Sequence, residues 1–96
     1  MNMKKIITRK AWSDSDTAEM IALYNMFLAH QQAGEKYTKA APIRALAEKK
    51  GRSKGSIEAK MMNLSAVYRD LGMEWVTGYK PLSNYAKSLK DAVTGE

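Results

Sequence analysis

The chain has 96 residues, no cysteine, one histidine and a formal net charge of +6 from sixteen basic and ten acidic side chains. That length makes one domain, which buries roughly 60 per cent or a little more of its unfolded surface, so nearly every element has to contribute to the core. Composition excludes disulfides, thiolate metal sites and a histidine-rich zinc cluster, and no stretch approaches a signal-peptide core or the roughly 20 apolar residues of a membrane span.

These exclusions imply a soluble cytoplasmic protein with no cofactor and no membrane contact. A positive balance of this size favours polyanionic partners through Coulomb attraction and counterion release. The sequence shows no internal repeat and no low-complexity tract, and no linker is long enough to separate domains.

Taken in order, Lys4, Lys5, Arg9 and Lys10 form a basic arm over residues 1–11. "WSDSDTAEMIALYNMFLAHQQAG" then opens a long amphipathic helix, with Ser13 as N-cap and Asp16 at the third helical position. Met20, Leu23, Tyr24, Phe27 and Leu28 recur at three- and four-residue steps and mark its buried face, and the helix ends near Gly34. Asp14, Asp16 and Glu19 are read as helix-start acids complementing the dipole, not as a carboxylate site.

Pro42 suits the first turn of a second helix, with Ile43, Leu46 and Ala47 inward, Lys49 and Lys50 in the last turn, and Gly51 as the stop. The link "GRSKGS" is short. Ser53 caps a third helix whose first turn is Lys54, Gly55 and Ser56, and whose buried stripe is Ile57, Met61, Leu64 and Tyr68, with Val67 and Leu71 alongside. The opposite side of that helix carries Glu58, Ala59, Met62, Asn63, Ala66 and Arg69.

Gly72 ends the third helix, and Gly78 and Pro81 keep "MEWVTGYKP" non-helical, so it is expected to run extended across the bundle. Leu82, Tyr85, Ala86, Leu89 and Val93 space as a short fourth helix capped by Ser83 or Asn84. The expected fold is all-α: a three-helix, helix-turn-helix bundle over residues 12–72, with a C-terminal extension over residues 73–96 packing on it.

Two helices joined by a tight turn offer the second of them to a major groove. Lys49, Lys50, Arg52 and Lys54 gather four cations at that turn, and Ser53, Ser56 and the free N–H groups of the helix start add neutral donors to the same anion. Lys60 joins them as a phosphate contact. The candidate base contacts are Glu58, which can accept from cytosine N4, Ala59 and Met62, which can touch a thymine methyl or 5-methylcytosine, and Asn63, for which a structural hydrogen bond is favoured over a base edge.

A tryptophan heading a long first helix, then "GRS" and "SIEAKMMNLSAV", resembles the Myb/SANT three-helix DNA-binding unit. Over nearly the whole chain, "GRSKGSIEAKMMNLSAVYRDLG" followed by "GYKPLSNYAKSL" is similar to the N-terminal helical module of bacterial restriction-type nucleases, including HNH enzymes and relatives of methylation-dependent restriction systems. The chain departs from those modules at Ala59, Met61, Met62 and Ala86. The likeness implies a DNA-binding scaffold and carries over no nuclease chemistry.

With one histidine, no cysteine and no phosphate-cradling loop, no catalytic constellation is legible, and a non-enzymatic role is expected. The expectation is a stand-alone protein of phage or mobile-element type that binds double-stranded DNA through the turn and the third helix, with weak sequence or modification selectivity. The competing reading is a protein-interaction adaptor or an inhibitor of a defence or host enzyme, with Ala59, Met62 and Ala66 as an apolar docking face.

Overall fold

The computed structural model describes residues 12–95. The basic arm expected over residues 1–11 lies outside the described residues. Within them the chain is all-helical, with four helices and no strand.

The first helix, α1 (Asp14–Gln32), begins at a complete capping box. Asp16 N–H donates to Ser13 Oγ at 3.0 Å, and the Asp16 carboxylate accepts from Ser13 N–H at 3.4 Å, which satisfies two of the amides that a helix start leaves open. Met20, Tyr24, Phe27 and Leu28 fall on one side at helical spacing and are buried. The second helix, α2 (Ala40–Lys50), buries Ile43 and Ala47 and stops at Gly51, whose φ of 64° is the left-handed conformation that glycine adopts without steric cost.

Ser53 caps the third helix, α3 (Lys54–Asp70), by accepting from Ser56 N–H at 3.0 Å. The periodic stripe of Ile57, Met61, Leu64, Val67 and Tyr68 is buried as its spacing requires. Ser65 and Ala66 are buried as well, at 0 % exposure each, because α3 packs against α1, α2 and α4 on different sides. Ala66 therefore does not belong to an open face, and small residues at 65 and 66 let the neighbouring elements approach closely.

Beyond Gly72 the chain runs without helix to Ala86. Side chains of Tyr24, Gln31 and Lys39 hold its residues 75–77 on the bundle. The Tyr24 hydroxyl accepts from Val76 N–H at 2.9 Å and shares a 2.8 Å hydrogen bond with Ser65 Oγ, and burial pushes its pKa up. Gln31 donates to Trp75 O at 3.1 Å and accepts from Thr77 N–H at 2.8 Å, while Lys39 Nζ donates to Thr77 O at 2.8 Å. Val76 and Tyr79 thereby join the same core as α1, α2 and α3.

The last helix, α4 (Lys87–Thr94), starts later than its periodicity suggests. Leu82 donates its N–H to Met62 O at 3.0 Å and gives its carbonyl to Asn63 Nδ2 at 2.8 Å, so its backbone is committed to α3 before a helix can form. Ser83 and Asn84 do not cap α4: Ser83 accepts from Arg69 and Asn84 from Asn63, and Ala86 is the N-cap. Leu89 is the residue of α4 that enters the core.

Candidate nucleic-acid interface

The turn between α2 and α3, residues 51–53 with the helix ends beside them, does not present its four cations as one outward ledge. Lys50 reaches back to the start of α1, with Nζ 3.0 Å from Asp16 and 2.9 Å from Glu19, and its side chain is 15 % exposed. Arg52 is more enclosed still: its side chain is 7 % exposed, its guanidinium carbon lies 3.7 Å from the centre of the Trp12 ring, and Asp16 is 4.0 Å away. The hydrogen bond from Lys50 holds the Asp16 and Glu19 carboxyls below their ordinary range, and the same pairing raises the Lys50 ammonium.

The acids that open α1 therefore do two things. They complement the helix dipole, and they pair with three of the four cations of the turn, Lys49, Lys50 and Arg52, across thirty or more positions of sequence. Lys49 remains 67 % exposed beside Glu19, at 3.3 Å, and Lys54 is exposed with no ion pair among the described residues. Ser53 and Gly55 are exposed next to Lys54, and Ser56 is half-buried.

The first turn of α3 is consequently a small open surface. Ser56 N–H is taken by the cap and Ile57 N–H by Ser53 O, which leaves the amides of Lys54 and Gly55 without an acceptor among the described residues. Gly55 has helical backbone, and a Cβ built on it meets nothing within 4 Å. Neither conformation nor packing in the folded chain requires glycine there.

From Ser56 to Tyr68 no residue of α3 is fully exposed. Glu58 and Ala59 are half-buried, and the negative charge of Glu58 helps burial push the Tyr79 hydroxyl up to about 12. Met62 is half-buried under the backbone tie to Leu82. Asn63 spends its amide on Leu82 O and on Asn84 Oδ1 at 3.4 Å, so residues 82–84 roof the middle of the helix. The four candidate base contacts thus line a flank that is partly covered.

Lys60 stands apart from the turn. It is half-buried, its Nζ lies 4.8 Å from the centre of the Trp12 ring, and burial followed by repulsion from Arg52 lowers its pKa. It lines a cleft of about 390 Å³ between the start of α1 and α4, together with Trp12, Asp14, Thr17, Ser88 and Asp91. Periodicity gave no sign of this cleft, because it joins helix ends that are more than seventy residues apart in sequence. A second, shallower and mainly apolar groove runs between α1 and α2, lined by Leu23, Met26, Pro42 and Leu46. Among the described residues no cluster of histidine and carboxylate side chains is arranged to hold a metal ion, and no helix is long and apolar enough to cross a membrane.

No family model, curated protein or solved structure matches the chain.

Proposed function

We propose that this protein binds double-stranded DNA end-on to α3, with the first turn of that helix against a phosphate. The observation that carries the reading is the open turn itself: two amides free of intrahelical acceptors, an exposed Lys54 and a glycine that the fold does not require. A helix start of this kind favours an anion through its N–H groups and its dipole, and a side-chain-free position lets the backbone come close to it. Lys49, exposed in the last turn of α2, is a further cation beside the turn.

Lying along a groove does not suit α3, whose middle is roofed by residues 82–84 and packed on three helices. Contact through its N-terminal end accords with the way recognition helices direct their first residues at DNA. Few side chains then reach base edges, and the expected selectivity is weak. The likeness of "GRSKGSIEAKMMNLSAV" and "GYKPLSNY" to restriction-associated DNA-binding modules points the same way.

A salt series of fluorescence-anisotropy titrations with duplex DNA tests the proposal. Lys54→Ala should weaken binding at every sequence and reduce the slope of log affinity against log salt by about 0.9, the release of one phosphate's counterion. Arg52→Ala is not an equivalent probe, since Arg52 packs on Trp12 and its loss perturbs the fold. Duplex binding that is absent at low salt, or unaffected by Lys54→Ala, rejects the reading.

One observation favours a second reading, a protein-interaction role. The groove between α1 and α2 leaves Met26 43 % exposed beside half-buried Leu23 and Leu46. Met26→Glu abolishing a partner's binding while leaving DNA binding intact would support that role.

A further inference from the structure

We propose that the cleft between the start of α1 and α4 is a nucleotide-sized phosphoryl site, in which the Lys60 ammonium holds the phosphate. It is separate from the first turn of α3, and the two can fail independently.

The argument starts from Lys60. Its ammonium is half-buried, and among the described residues no carboxylate lies within ion-pairing distance of it. Another cation, Arg52, repels it and adds to the cost of burial. A half-buried charge in such a setting is normally offset by an opposite one. Among the described residues it has the Trp12 ring, 4.8 Å from ring centre to Nζ, which attracts a cation but does not neutralise it.

The space in front of Lys60 has room for a ligand. At about 390 Å³ the cleft sits at the small end of the range of roughly 300–1,000 Å³ that small-molecule sites occupy. Thr17 and Ser88 bring hydroxyls to its wall, and Asp14 and Asp91 bring carboxylates. Lys87 already engages Asp91, at 3.1 Å.

That mixture selects chemistry. One unpaired cation suits one phosphoryl group, and two carboxylates disfavour a polyphosphate by like-charge repulsion. Carboxylates accept hydrogen bonds from amino or hydroxyl groups. A single nucleotide offers all of these features: one phosphate, sugar hydroxyls and an exocyclic amine. It arrives either as a free monophosphate or as the terminal nucleotide of a strand, and the phosphoryl chemistry is common to both.

The test is a nuclear magnetic resonance titration of the whole chain, following the Trp12 indole N–H and the amides of Ser88 and Ala92. The probes are deoxycytidine 5′-monophosphate, deoxycytidine, inorganic phosphate, and a single-stranded oligonucleotide with or without a 5′-phosphate. The monophosphate should shift these signals saturably at millimolar concentration, and deoxycytidine should bind about tenfold more weakly or worse, as the loss of a charge-assisted contact requires. Lys60→Met should lose the same factor while the rest of the spectrum stays dispersed, and Lys60→Arg should retain binding.

Competition by the 5′-phosphorylated strand, but not by its unphosphorylated counterpart, would identify a strand end as the source. Competition by neither would identify the free nucleotide. Equal binding of nucleoside and nucleotide, unchanged binding by Lys60→Met, or saturable shifts confined to other residues would overturn the assignment, as would no saturable shift with any probe. Because Lys54→Ala leaves this cleft intact, loss of duplex binding in that variant together with normal nucleotide binding keeps the two sites distinct.

Discussion

Replacing Gly55 by alanine pulls stability and DNA affinity in opposite directions, and so separates what the fold needs from what a ligand needs. Gly55 is the second residue of α3, its backbone is helical, and an added Cβ would meet nothing within 4 Å. Alanine is favoured over glycine by about 1 kcal/mol in a helix interior, and the gain is smaller in a first turn whose amides are not bonded within the helix. A further part of the gain comes from narrowing the unfolded ensemble. Together these give Gly55→Ala about 0.5–1 kcal/mol of added stability.

For a domain near 100 residues this is a rise in Tm of about 2–8 °C, within reach of a thermal scan followed by circular dichroism. The same methyl group stands where a phosphate would approach the Lys54 and Gly55 amides. Duplex affinity should therefore fall several-fold while the salt slope stays at the parent's value, since no charge has been removed. A lower Tm would show that the added carbon meets something and that the turn is not open. A raised Tm with parental DNA affinity would refute contact at this turn, even if the protein binds DNA elsewhere.

Tyr24→Phe should cost about 2–3 kcal/mol, because it strands the buried Val76 N–H and Ser65 hydroxyl; urea unfolding measures it, and a loss below about 0.5 kcal/mol would show that both find other partners. Gly78→Ala should destabilise by about 1–2 kcal/mol, since φ is 98° and the new carbon would lie 2.9 Å from Lys39 Nζ, and combining it with Lys39→Met should recover only the steric part of the loss. Stability should be level from about pH 5 to pH 10 and fall on either side. The lowered Asp16 and Glu19 carboxyls contribute above their unfolded pKa and lose that contribution as acid protonates them, while the raised Lys50 contributes below its unfolded pKa and loses it as alkali removes its proton. Glu19→Gln should flatten the acid limb in a series of urea midpoints against pH; an unchanged limb would mean that the pairing with Lys50 contributes nothing to folding.

The legible part of this molecule was whatever depends on neighbours in sequence. The capping box at Ser13 and Asp16, the stop at Gly51, the Ser53 cap and the stripe from Ile57 to Tyr68 follow from spacing of three or four residues and from the conformational needs of single positions. The start of α4 was not legible, because Leu82, Tyr85 and Ala86 have helical spacing while a hydrogen bond from Leu82 N–H to Met62 O and others from Asn63 and Arg69 tie residues 82–84 to α3. Ala66 misled for a related reason: a periodicity argument finds one buried stripe, whereas α3 has neighbours on several sides.

The candidate site divides along the same line. Exposure of Lys54 and Gly55 follows from their place in a first turn, but nothing within six residues of Lys50 or Arg52 indicates that Asp16, Glu19 and Trp12 take up those side chains. Local charge counts show how many cations a turn has. They do not show how many are already engaged by acids from a distant helix start.

The central position of α3 bears on how the chain comes apart. α1, α2 and α4 each rest on it, and the 73–86 stretch is sewn to it and to α1, so loss of any one layer bares apolar atoms belonging to the others. Amide protons around Leu64 to Tyr68 then exchange with solvent only when the whole unit opens, which makes the described residues a single cooperative block.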